Sequence, residues 1–136
     1  MDREKFCAEV AYNLGENVLV DIIMYGDIYG DDTYTTAESY LSLAWVGRII
    51  LSTWEDQRSW DTNYRIVLLK SKRGDNLINT ALSKATTSSV LILRTDRRLL
   101  IPTLKNLYDK FMRGNQIDEE QIFFGSREEL SRHVFK

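Results

Sequence analysis

Tyr64-Arg65-Ile66-Val67-Leu68-Leu69-Lys70 decides the architecture of the middle of the chain. The run is short, apolar and β-branched, which is the pattern of a buried strand. Beyond it, Arg73-Gly74-Asp75 makes a turn, with Asp75 placed to cap a helix. Leu77, Ile78, Ala81, Leu82 and Ala85 then space out a short amphipathic helix over 75–85. Thr86-Thr87-Ser88-Ser89 ends it, and Val90 to Leu93 is a second strand candidate. Two parallel strands, 64–71 and 89–94, joined by that helix form a βαβ unit. Their carboxyl ends then lie on one edge of the sheet, where ligands bind in such folds. That edge receives Lys70, Lys72 and Arg73 from one strand and Arg94, Arg97 and Arg98 from the other. The first N–H groups of helix 75–85 add donors for an anion.

A helical 64–70 leads elsewhere. Helix 75–85 and a hairpin of 89–94 with 98–101 then follow the element order of a winged helix-turn-helix. Arg97-Arg98 sits at the wing, and Asn76, Asn79, Thr80 and Lys84 face DNA. Both arrangements predict contact with phosphate and binding that weakens with salt.

Charge supports a polyanion partner only when position is considered. The 136 residues carry 18 Lys and Arg against 20 Asp and Glu, a net −2. Residues 1–62 hold 12 acids and four bases, a net −8, whereas residues 63–115 hold 11 bases and three acids, a net +8. Such asymmetry points either to a phosphate-bearing partner or to docking of the acidic part on the basic part. The docking can occur within the chain or between copies in a homo-oligomer.

Working back toward the N-terminus, segment 3–25 has apolar residues at helical intervals (Cys7, Val10, Ala11, Leu14, Val18, Ile22, Tyr25), although Val18 to Met24 is β-branched enough for a strand. Residues 26–34 form a Gly- and Asp-rich loop. Thr35 with Glu38 has capping-box spacing, and apolar residues from Tyr40 to Trp54 cover most of the circumference of a helix over 36–55. Arg48 interrupts this apolar surface, and Asp21 is a candidate partner for it. Trp45 and Trp54 read as core. Tyr29, Tyr34 and Trp60 fall in polar segments, where exposed aromatics among acids can anchor a protein partner.

Toward the C-terminus, Pro102 suits the first turn of a helix. Leu104, Leu107, Tyr108 and Phe111 line one face of that helix, and Gly114 ends it. Residues 115–121 connect to Phe123-Phe124, and Ser126 caps a last helix with Glu128 and Glu129 in its first turn.

Motifs for chemistry are sparse. Tyr29-Gly30-Asp31-Asp32 has the letters of a polymerase metal motif but is not followed by a strand. Asp27, Asp31 and Asp32 lack the spacing of an EF-hand. One His and one Cys cannot build a zinc site, and no dinucleotide, Walker, zincin or nucleophile-elbow signature occurs. The single Cys7 excludes an internal disulfide and suits a reducing cytoplasm. No apolar run approaches the roughly 20 residues of a membrane span.

The sequence therefore predicts one α+β domain over 1–136, with an acidic helical part (1–62) and a basic α/β part (63–136). An N-terminal helical hairpin packs on a small sheet with three further short helices. The expected function is non-enzymatic binding, without catalytic residues, metal or cofactor. The basic segment 65–113 contacts phosphate in nucleic acid or a nucleotide through Lys70, Lys72, Arg73, Arg94, Arg97 and Arg98. The alternative is a protein-interaction module (an inhibitor, immunity protein or assembly subunit) acting through Tyr29, Tyr34 and Trp60.

Overall fold

A computed structural model describes residues 19–28, 31–54, 64–119 and 121–132. They form a six-stranded sheet and four helices: β1 (Val20–Tyr25), α1 (Asp31–Tyr40), β2 (Val46–Thr53), β3 (Ile66–Lys70), α2 (Leu77–Leu82), β4 (Ser89–Arg94), α3 (Ile101–Met112), β5 (Ile117–Glu119), β6 (Ile122–Ser126) and α4 (Arg127–Ser131). The strand order is β3-β2-β1-β4-β6-β5. The first four strands in that order are parallel, and β6 and β5 are antiparallel additions beyond β4.

The expected N-terminal helical hairpin is overturned. Val20–Tyr25, read as the end of a first helix, is a central strand, and the first described helix follows it. The predicted helix over 36–55 is α1 and then β2, an eight-residue strand. The cause is burial on both faces. Ile49, Ile50 and Leu51 are all fully buried, because helices cover each side of the sheet. A parallel strand covered on both sides loses its alternation and reads as a continuous apolar run, as a buried helix does. The sheet is also not small, because the 115–121 connector contributes β5.

Two apolar layers flank the sheet. Val20, Ile22, Met24, Leu91 and Leu93 face α1 and α3, where Tyr40, Leu104, Tyr108 and Phe111 pack. The rings in this layer stack: Trp45 lies 4.4 Å from Tyr108 and Phe111 lies 4.2 Å from Phe124. Ile23, Ile50, Val90 and Ile92 face the other way, onto Ile78, Ala81 and Leu82 of α2 and Leu130 of α4. The apolar face foreseen for α3 is the buried one, with Pro102 in its first turn, and Ser126 caps α4 by accepting from the Glu129 N–H.

Within the 64–70 run, Ile66–Lys70 is strand β3, preceded by a turn at Tyr64 and Arg65, so the middle of the chain is the βαβ unit. The winged alternative is excluded, since residues 98–100 form no returning strand. β3 and β4 are not neighbours, however. β2 and β1, both from the acidic part of the chain, lie between them.

The amino ends of the parallel strands are closed by a buried carboxylate. Asp21 is fully buried. Its Oδ1 accepts from the Arg48 N–H at 3.0 Å, and its Oδ2 accepts from the N–H groups of Thr86 at 2.8 Å and Thr87 at 3.3 Å. The pairing of β1 with β2 slips between Val20 and Ile22. At Gly47 a Cβ would stand 2.8 Å from Asp21 Oδ1, so only glycine leaves room for this carboxylate. Asp21 thus meets the backbone of Arg48 and not its guanidinium, which donates to the Lys84 carbonyl at 2.6 Å.

Candidate functional site

Opposite that closed end, the carboxyl ends of β1 and β4 lie side by side, with Tyr25 level with Arg94. From β1 the chain runs through α1 to β2. From β4 it runs through α3 toward β5 and β6, on the far side. The order 3-2-1-4 puts the reversal of direction between these two strands, and a crevice at such a switch point is where open α/β sheets bind ligands.

A cleft of 310 Å³ occupies this position. Its walls are held together by backbone. The Thr95 N–H donates to the Tyr25 carbonyl at 2.9 Å, and the Gly26 N–H donates to the Ser52 carbonyl at 3.0 Å. Gly26 has φ +124, and a Cβ on it would stand 2.9 Å from Thr95 Oγ1. Glycine is required there by both conformation and space. On the floor, Arg94 donates to Gln121 Oε1 at 2.7 Å and to Asp96 Oδ2 at 2.9 Å. Gln121 reaches it from the β5–β6 turn with φ 64. Burial pushes the Tyr25 hydroxyl above its ordinary pKa. Arg94 pulls it down and Asp96 pushes it further up.

A second cleft of 260 Å³ adjoins the first and shares Tyr25, Trp54 and Leu77 with it. It is walled by Ile78 and by the turn leading into α2. Trp54 stands between the two, 40% exposed, with its indole N–H donating to the Asp75 carbonyl at 3.0 Å. Its reading as core is therefore corrected. Trp54 directly follows β2 at the sheet's ligand-side edge, a signal that a single helix over 36–55 hides.

The six basic residues fall into two groups on this edge. Lys70, Lys72 and Arg73 leave β3, and Arg94, Arg97 and Arg98 leave β4. Arg94 lines the first cleft directly. Lys72, Arg73 and Arg98 are exposed. Three interstrand spacings separate the ends of β3 and β4, about 14 Å, so no single phosphate bridges them. The helix N-terminus invoked as an anion site is occupied. Asn76, not Asp75, is the cap, and its Oδ1 accepts from the N–H groups of Ile78 and Asn79, both at 3.0 Å. Asp75 instead accepts the Lys72 N–H at 3.2 Å and braces the turn.

Of the aromatic trio, Tyr34 lies on α1, half-buried and packed against the α1/α3 layer. Tyr29 and Trp60 lie outside the described residues. Asp27 lines the first cleft, and Asp32 is exposed on α1. Among the described residues, no three His, Cys, Asp or Glu side chains gather to hold a metal ion. None of the described helices is long and apolar enough to cross a membrane.

No known family, curated protein or solved structure matches the chain. The site's meaning rests on its own geometry.

Proposed function

We propose that this protein binds a nucleotide, or a comparable ligand joining a flat ring to phosphate, at the carboxyl edge of its parallel strands. One observation carries the reading: two contiguous clefts at the carboxyl edge, the first at the β1/β4 switch point and the second beside it, differ in character. The one beside Trp54, Leu77 and Ile78 offers an aromatic and apolar wall for a ring. The other offers Arg94, Gln121, Asp27 and Asp96 for polar groups. A volume near 300 Å³ is the scale of a small-molecule site. It favours a mononucleotide over a nucleic-acid strand, which needs an extended groove. Exposed Lys72, Arg73 and Arg98 supply positive potential at the rim. The proposed function is binding in the cytoplasm, consistent with the single Cys7.

Calorimetric titration with nucleoside 5′-diphosphates, inorganic pyrophosphate and short oligonucleotides tests it. A nucleoside diphosphate should bind more tightly than pyrophosphate, and its affinity should fall as salt rises from about 50 to 200 mM. Removing Arg97 and Arg98 together should weaken binding and flatten that salt dependence. Flat titrations across the panel would overturn the reading, as would a preference for oligonucleotides over mononucleotides.

A further inference from the structure

Tyr40 ends α1 with its ring in the core, 1% exposed. Its hydroxyl oxygen accepts a hydrogen bond from the Leu99 N–H at 3.0 Å, across 59 residues of sequence. Leu99 follows Arg98 directly and closes the loop between β4 and α3. At the other end of that loop the Thr95 N–H is fixed to the Tyr25 carbonyl at 2.9 Å, and the Arg97 N–H turns back to the Arg94 carbonyl at 3.0 Å. The basic loop is thus anchored on β1 at its start and on one side chain of α1 at its end. Burial holds the Tyr40 hydroxyl above its ordinary pKa, so it stays neutral, and Arg98 is near enough to pull against that push.

We propose that Tyr40 is a positioning residue for the phosphate-contacting loop. By holding the Leu99 N–H it sets where Arg97 and Arg98 stand relative to Arg94. The inference rests on the phosphate reading above. Its physical content is preorganisation: a loop already held in the bound conformation loses less freedom when ligand arrives.

Tyr40→Phe keeps the buried ring and removes the acceptor. Hydrogen exchange should show the Leu99 amide opening at least tenfold faster, with the amides of Ile22 and Leu91 unchanged. Affinity for a nucleoside 5′-diphosphate should fall about five-fold, the worth of one net hydrogen bond. The slope of that affinity against salt should stay the same, because every cation remains. A residue with a merely structural role would lower stability and leave affinity alone. Unchanged Leu99 exchange together with unchanged affinity would overturn the role of Tyr40 while leaving the phosphate reading intact. If the wild-type protein binds none of the phosphate probes, the phosphate reading falls and this inference falls with it. Exchange in the wild-type protein gives a check that needs no variant: a Leu99 amide exchanging at the rate of an unprotected loop would also overturn the proposal.

Discussion

At the amino ends of the parallel strands, Asp21 is fully buried and saturated with backbone N–H donors. The arginines nearby are turned on the chain's own carbonyls. Arg48 donates to the Lys84 carbonyl, and Arg65 donates to the Gly47 carbonyl at 3.0 Å and the Val46 carbonyl at 2.5 Å. At the carboxyl ends of the same strands the charged groups face a cleft. Asp96 and Arg94 are paired but remain 43% and 44% exposed, and Lys72, Arg73 and Arg98 are exposed. Similar residue types engage the chain's own backbone at one edge and stay available to a ligand at the other. A charge count along the sequence cannot separate them, because Arg65 and Arg73 belong to the same basic segment.

The largest test of this contrast is Asp21→Ala. It removes the acceptor of three part-buried hydrogen bonds, from the N–H groups of Arg48, Thr86 and Thr87, at about 1 kcal/mol each. Urea unfolding should show a loss of about 3 kcal/mol or more, with ligand affinity of the folded fraction unchanged. A loss under about 1 kcal/mol would break the claim that the amino edge is closed by this carboxylate.

Gly26→Ala comes next and acts on both quantities. A positive φ for a residue with a Cβ costs about 1–3 kcal/mol, and the 2.9 Å approach to Thr95 forces the two walls of the cleft apart. Thermal unfolding should fall accordingly, and binding should weaken in the same variant. Full binding by this variant would show that the wall spacing is not used.

Trp54→Ala should invert the pattern of Asp21→Ala. With a 40% exposed side chain, its loss should cost about 1 kcal/mol of stability or less. A stacked ring is worth about 1–3 kcal/mol, so affinity for a nucleoside diphosphate should fall at least about five-fold while pyrophosphate binding is unaffected. Equal loss for both ligands would remove the ring from the second cleft.

The smallest effect is alkaline. Tyr25 and Tyr40 both titrate above pH 10.0 in the folded chain, with burial the main cause for each. The unfolded chain ionises first as pH rises. Their contribution is therefore complete below about pH 10 and is lost above it. Asp96→Asn should lower the Tyr25 pKa and leave that of Tyr40 in place, which absorbance titration of the tyrosinates can follow.

The parts of the fold legible in the sequence were those with one exposed side or a strong local signal. The α3 helix showed its apolar face at Leu104, Leu107, Tyr108 and Phe111, and Thr86 to Ser89 separated α2 from β4. β1 and β2 were not legible because Ile22, Ile23, Ile49 and Ile50 are wrapped on both sides. Periodicity carries no information where there is no solvent face. The same misreading hid the cleft. With 36–55 taken as a helix, Trp54 had no strand end to occupy, and Tyr25 had no neighbour in Arg94. Gln121 gave no local signal, because its approach to Arg94 depends on how β6 pairs with β4.

The strand order carries one more consequence. β1 and β2 come from the acidic part of the chain, and β3 and β4, from the basic part, enclose them on either side. The two parts are interleaved like cards from two packs. A break in the connection between β2 and β3 would leave one fragment with a two-stranded ribbon bare along both flanks. The other fragment would keep β4, β6 and β5 paired but strand β3 without a neighbour. Neither fragment keeps the β1–β4 pairing that forms the first cleft, so the site exists only when both parts fold together.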